Sequence, residues 1–118
     1  MPTNGSDFLV RTGDDDGRAV VRFPAGTTLS ELNADEFEHE LLAAADGKEH
    51  PVVVVDLGGV VMLTSVILAK FVAINSRFRI RGGRLTILNP NPTVYQVFKM
   101  TRLDTLLDLR TGADPMPV

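Results

Sequence analysis

Pro51-Val52-Val53-Val54-Val55-Asp56-Leu57-Gly58-Gly59 is the stretch that decides the fold. Its four consecutive valines are β-branched, which favours extended backbone. They show no polar alternation, so a strand formed here needs both of its faces dry. Such a strand lies in the interior of a sheet, with strands on each side and helices covering it. Gly58-Gly59 ends it. The rest of the chain has to supply the neighbours and the cover.

Upstream, Asn33-Ala34-Asp35-Glu36 opens a helix, with Asn33 suited to accept from first-turn N–H groups and Glu36 at the capping-box position. Phe37, Leu41, Leu42 and Ala45 share one face of it, Glu36, Glu38, Glu40 and Asp46 the other, and Gly47 stops it. Farther back, Phe8-Leu9-Val10 and Ala19-Val20-Val21-Arg22-Phe23 are β-prone runs. Gly13-Asp14-Asp15-Asp16-Gly17 between them has turn chemistry, which predicts a hairpin. Its acids lack the spacing of a calcium loop and read as a solvated turn.

Downstream, a second helix is predicted from about Val66 to Arg79, with Ile67, Leu68, Phe71, Val72 and Phe78 inward and Gly82-Gly83 as its stop. Leu85-Thr86-Ile87-Leu88 is the next strand, and Asn89-Pro90-Asn91-Pro92 a turn with Pro92 suited to the first helical position. Val94, Val97, Phe98 and Met100 form the apolar face of a third helix, and Leu103, Leu106 and Leu107 continue the pattern in a short turn. The predicted order is β-β-α-β-α-β-α. That is a layered α/β domain over residues 8–111, with a mixed central β-sheet, helices mainly on one face, and loose termini at 1–7 and 112–118.

Composition narrows the function. The 118 residues fit one domain with a core of its own. There is no cysteine, which excludes disulfides, thiolate metal sites and a cysteine nucleophile. His39, on a charged helix face, and His50, in a loop, are too far apart to suggest a metal site, and the absence of Trp advertises no aromatic cofactor cavity. No metal and no cofactor are expected. The formal net charge of −3 argues against a nucleic-acid partner. No apolar run reaches the ~18 residues of a membrane span. The opening Met-Pro-Thr-Asn-Gly-Ser-Asp has no secretion-signal pattern, so a cytoplasmic location is expected. Asp56 has no second acid, histidine or nucleophile placed beside it and is expected to satisfy backbone donors of the next loop. Gly58-Gly59 lacks the Lys-Ser/Thr of a phosphate-binding loop. No enzyme is predicted. Lys70, Arg77, Arg79, Arg81 and Arg84 form a basic stretch whose expected role is solvation, with docking to an acidic partner second.

From Val53 to Leu107 the motifs fall in a particular order. A strand ends in Asp56-Leu57, Leu63-Thr64-Ser65 opens an amphipathic helix, and Arg81-Gly82-Gly83-Arg84-Leu85 follows it. Asn91-Pro92-Thr93-Val94 and Met100-Thr101-Arg102-Leu103-Asp104-Thr105-Leu106-Leu107 come after the next strand. This resembles the STAS domains of bacterial anti-sigma factor antagonists. In them a strand ends in Asp-Leu or Asn-Leu, the helix opens with Asp-Ser-Ser-Gly, Gly-Gly follows it, and Ser-Pro-x-Val and Thr/Ser-Gly-Leu segments come later. About half the chain carries the motifs, and the N-terminal part agrees in element order.

The resemblance implies a regulatory module in a partner switch that controls transcription. Such an antagonist sequesters an anti-sigma factor that is also a serine kinase, of the histidine-kinase-like ATPase type, and a serine phosphatase reverses the phosphorylation that ends binding. The acceptor serine of that motif falls on Ser65, with Thr64 as second candidate, while Thr64, Val66 and Ile67 replace the motif's Asp, second Ser and Gly. Thr64 is expected to cap the helix through its hydroxyl. Val61, Met62, Thr64 and Ser65 are the candidate partner-binding residues. The alternative is a scaffold STAS domain that pairs with other STAS domains and is not switched.

Overall fold

The computed structural model describes residues 10–15 and 18–111. In chain order the elements are β1 (Val10–Asp15), β2 (Arg18–Arg22), β3 (Thr27–Leu29), α1 (Ala34–Ala44), β4 (Val52–Asp56), β5 (Val60–Leu63), α2 (Ser65–Ile80), β6 (Arg84–Leu88), α3 (Pro92–Met100), a single 3-10 turn (Leu103–Thr105) and β7 (Asp108–Arg110). The main sheet has the order β1-β2-β4-β6-β7, so the valine run is its central strand, flanked as expected by β2 and β6. β1 pairs antiparallel to β2, and the other strands of this sheet run parallel. β3 and β5 form a second, two-stranded parallel sheet.

The strand pairings dictate the two faces. Ala19, Val21, Val53, Val55, Leu85 and Ile87 join one buried cluster with Phe37 and Leu41 of α1, Ile67, Phe71, Ile74 and Phe78 of α2, and Val94 and Phe98 of α3. The three helices therefore cover the same face. Phe23, Phe37, Phe71 and Phe98 string through this layer, with ring centroids 6.2, 5.1 and 6.0 Å apart in succession. Val54 is fully buried but belongs to the opposite face, in the register row Val20, Val54, Thr86, Asp108. The strand is thus dry on both sides at its centre and partly open only at its ends, Val52 and Asp56.

Several local expectations are corrected. Three short strands, β3, β5 and β7, are absent from the predicted order, because each is only three or four residues long and is defined by its pairing rather than by its pattern. Gly13, Asp14 and Asp15 lie in β1 rather than in a turn, since Asp14 and Asp15 pair with Ala19 and Arg18. An edge strand tolerates polar residues that a central one would not. Asp16-Gly17, Phe8-Leu9 and both chain ends fall outside the described residues. Asn33 does not cap α1. Its side chain instead bridges the preceding turn, accepting from the Ser30 N–H at 2.9 Å and donating to the Thr28 carbonyl at 2.9 Å. Asn91 does cap α3, its Oδ1 accepting from the Val94 N–H at 2.8 Å with Pro92 in the first turn.

Candidate partner-binding site

The site is built from the end of the central strand. Asp56 takes the structural role expected of it: Oδ1 accepts from the Gly58 N–H at 2.9 Å, and Oδ2 faces Arg22 Nε at 3.3 Å. Gly59 then passes so close to the end of β2 that a Cβ there would stand 2.4 Å from the Phe23 carbonyl oxygen. That approach lets the Gly59 carbonyl accept from the N–H groups of Gly26 and Thr27, at 2.9 and 3.1 Å, and starts the β3–β5 pairing.

β5 is bulged. Thr27 pairs with Val60 and Thr28 with Met62, so Val61 is an extra residue on its strand. A bulge re-aims side chains. Val60 and Leu63 are buried, whereas the adjacent Val61 and Met62 are 48% and 44% exposed. The segment is held at both ends, by Asn91 Nδ2 donating to the Val60 carbonyl at 3.0 Å and by the Thr64 N–H donating to the Leu29 carbonyl at 3.1 Å.

Thr64 stands at the N-cap of α2 in extended backbone, but its hydroxyl caps nothing. It donates to Glu31 Oε1 at 3.2 Å instead, while its carbonyl accepts from Ile67 and Leu68. The expected Thr64 cap is therefore corrected: the hydroxyl is turned to donate to Glu31, and in that orientation its oxygen accepts from no first-turn N–H. Ser65 is the first residue of α2 and is exposed. Val66 beside it is 37% exposed, and Ile67 points fully into the core. The loop before α1 adds Leu32, 93% exposed and next to Glu31. The candidate residues Val61, Met62, Thr64 and Ser65 thus lie along one bulge-and-helix start, interrupted only by the buried Leu63, with apolar carbon and the Ser65 side chain exposed.

Glu31, Leu32 and Val66 were invisible as site residues in the sequence pattern. Glu31 reaches Thr64 only because β3 pairs with β5, and neither short strand announces itself. The pairing has a chemical consequence. The motif's acid is missing at position 64, yet a carboxylate is present there in space, supplied by Glu31 from another element. One turn into α2, Lys70 donates to Glu38 of α1 at 2.7 Å and lies 3.7 Å from Asp35. The Glu38 hydrogen bond, with the charges of Glu38 and Asp35, raises its pKa above the ordinary lysine value, so it stays cationic and tied to α1. Among the described residues no group of acids or histidines could hold a metal ion, and no helix is long and apolar enough to cross a membrane.

A five-stranded sheet covered on one face by helices, with a serine opening its longest helix beside an exposed apolar bulge, defines a small layered α/β module. The chain matches the family described as Mlab, STAS domain, over residues 15–109, and belongs to the STAS family. Among curated proteins none matches it. Among solved structures it is similar to an anti-sigma-factor antagonist (STAS) domain protein from Planctomyces limnophilus, at 23% identity and a TM-score of 0.78 over 90% of this chain and 91% of that one. It is similar also to the anti-sigma factor antagonist SpoIIAA in its unphosphorylated form, at 16% identity and a TM-score of 0.73 over 90% and 89%. The phosphorylated form of the Bacillus cell fate determinant SpoIIAA matches at 15% identity and a TM-score of 0.61 over 90% and 92%. At these identities the likeness is one of fold.

Proposed function

We propose that this chain is a non-catalytic binding module that sequesters an anti-sigma factor kinase of the histidine-kinase-like ATPase type, and that phosphorylation of Ser65 ends the binding. The observation that carries the reading is the exposure of Ser65 at the first position of α2, beside outward-facing Val61, Met62 and Val66. A phosphoryl group adds roughly −1.5 to −2 charges and three acceptor oxygens. At a helix N-terminus the domain itself tolerates that charge. A partner packed on the apolar bulge would have to desolvate it, with the Glu31 carboxylate nearby, so the modification acts on the complex and spares the fold. That SpoIIAA keeps this fold in both forms supports the second half of the argument.

The test is incubation with a cognate kinase and ATP, followed by intact-mass measurement of wild type and Ser65→Ala. One phosphate on the wild type and none on the variant is the expected result. Equal phosphate on both would move the acceptor, with Thr64 next in line. A stable complex with no phosphate on either protein would favour the unswitched scaffold that pairs with other STAS domains.

A further inference from the structure

Ten residues beyond Ser65, about 15 Å along the helix at 1.5 Å per residue, α2 carries a side chain the partner site does not use. Asn75 is only 7% exposed, yet its amide makes no side-chain hydrogen bond with any described residue. Among the described residues no fully enclosed side-chain nitrogen or oxygen lacks a partner, so this amide opens onto space. The space is a cavity of about 480 Å³, within the range of small-molecule sites. Besides Asn75 it is lined by Arg79 of α2, Gly82-Gly83, Arg84 and Leu85 at the start of β6, Leu106, and Asp108 and Arg110 of β7.

The charge here runs against that of the molecule. The chain as a whole is net −3, but three guanidinium groups meet one carboxylate in the cavity. That carboxylate is already engaged, accepting from the Thr86 hydroxyl at 2.8 Å and from Arg110 Nε at 3.1 Å. Arg79 and Arg84 make no ion pair with any described residue. Elsewhere in the basic stretch, Lys70 binds Glu38 and Arg81 donates to the Lys48 carbonyl. A second cavity of about 600 Å³ shares Asn75, Arg79 and Leu106 and continues along Val72 and Ile80, which gives an apolar flank.

We propose that this cavity binds a small phosphate monoester. Two forked guanidinium groups and one amide offer more donors than the two oxygens of a carboxylate use, and they match the three terminal oxygens of a phosphate. The apolar flank takes the ester's organic body. The Asp108 carboxylate positions Arg110 at the rim.

Titration with phenyl phosphate, followed by two-dimensional ¹⁵N NMR, tests the site, with benzoate, inorganic phosphate and sodium chloride at matched ionic strength as comparators. Saturating shifts confined to residues 75–85 and 105–110 are expected with phenyl phosphate. Arg79→Gln and Arg84→Gln are each expected to weaken binding about tenfold, the loss of one charge-assisted hydrogen bond. Asn75→Leu should weaken binding while leaving the thermal midpoint close to that of wild type, because the amide opens onto the cavity and its removal breaks no side-chain hydrogen bond within the protein. Shifts that sodium chloride reproduces, or arginine variants that titrate like wild type, would overturn the site. Benzoate binding as tightly would overturn the phosphate assignment, and inorganic phosphate binding as tightly would overturn the role of the apolar flank.

Discussion

Met62 shows how one apolar side chain can be held at the surface without serving the core. Its neighbours Val60 and Leu63 are buried, and the bulge at Val61 leaves Met62 nearly half open. Met62→Asp is therefore expected to lower capture of an anti-sigma-type kinase by at least about tenfold, with the thermal midpoint nearly unchanged, since a new charge meets water in the free protein and apolar surface in the complex. Parallel pull-down and thermal unfolding would check it. Undiminished capture would move the interface elsewhere, and a large drop in midpoint would make Met62 a packing residue. At the same scale, hydroxyl and amide side chains proved the least legible feature of the sequence. Thr64 and Asn33 both carry the chemistry of a helix cap, and neither caps: Thr64 is turned to donate to Glu31, brought near by tertiary structure, and Asn33 bridges Ser30 and Thr28 of the turn before it. Asn91 keeps its capping role, its Oδ1 accepting from the Val94 N–H while its Nδ2 donates to the Val60 carbonyl.

At the scale of elements, β4 is the one that position in the sheet explains most fully. Val54 is completely buried on the face opposite the helices, between Val20 and Thr86. Val54→Asp is expected to unfold the protein, because an unpaired buried carboxylate costs several kcal/mol against a typical total of about 5–15 kcal/mol. Val52→Asp provides the contrast. Val52 is only partly buried and sits in register between Arg18 and Arg84, so a carboxylate there gains solvent and cationic neighbours. Circular dichroism with urea titration should find the first variant unfolded and the second folded. Two folded variants would mean that the outer face of the sheet is wetter than its packing indicates. The short strands behave differently from β4. β5 is a run of apolar residues whose bulge leaves an in-out-out-in pattern, so no period of two marks it as a strand.

Across the whole molecule, the aromatic string from Phe23 through Phe37 and Phe71 to Phe98 ties the end of β2 to all three helices. Phe71 is its hinge, fully buried between α1 and α3 neighbours. Phe71→Ala is expected to cost about 3–5 kcal/mol, the usual loss for a buried phenylalanine. That would leave a protein of ordinary stability near its unfolding threshold. Chemical denaturation would measure it, and a loss below about 1 kcal/mol would mean that the helical layer collapses around the gap. The same layer separates the two ends of α2. Ser65 opens the helix at the bulge, and Asn75 and Arg79 face the basic cavity toward its other end.

The sequence by itself determined the central strand, its flanking strands, the three helices to within a few residues at most boundaries, the hairpin and the serine that opens α2. Each of these is a local or periodic signal: a β-branched run, an amphipathic face, a proline or glycine at an end. Only the tertiary structure decided which face Val54 belongs to, that Val61 and Met62 turn outward together, and that Glu31 returns a carboxylate to the helix start. It alone gathered Arg79, Arg84 and Arg110 around an unpaired asparagine. Those outcomes depend on strand pairing across gaps of tens of residues, and competition for a hydrogen bond is settled by whichever partner the fold brings within about 3 Å.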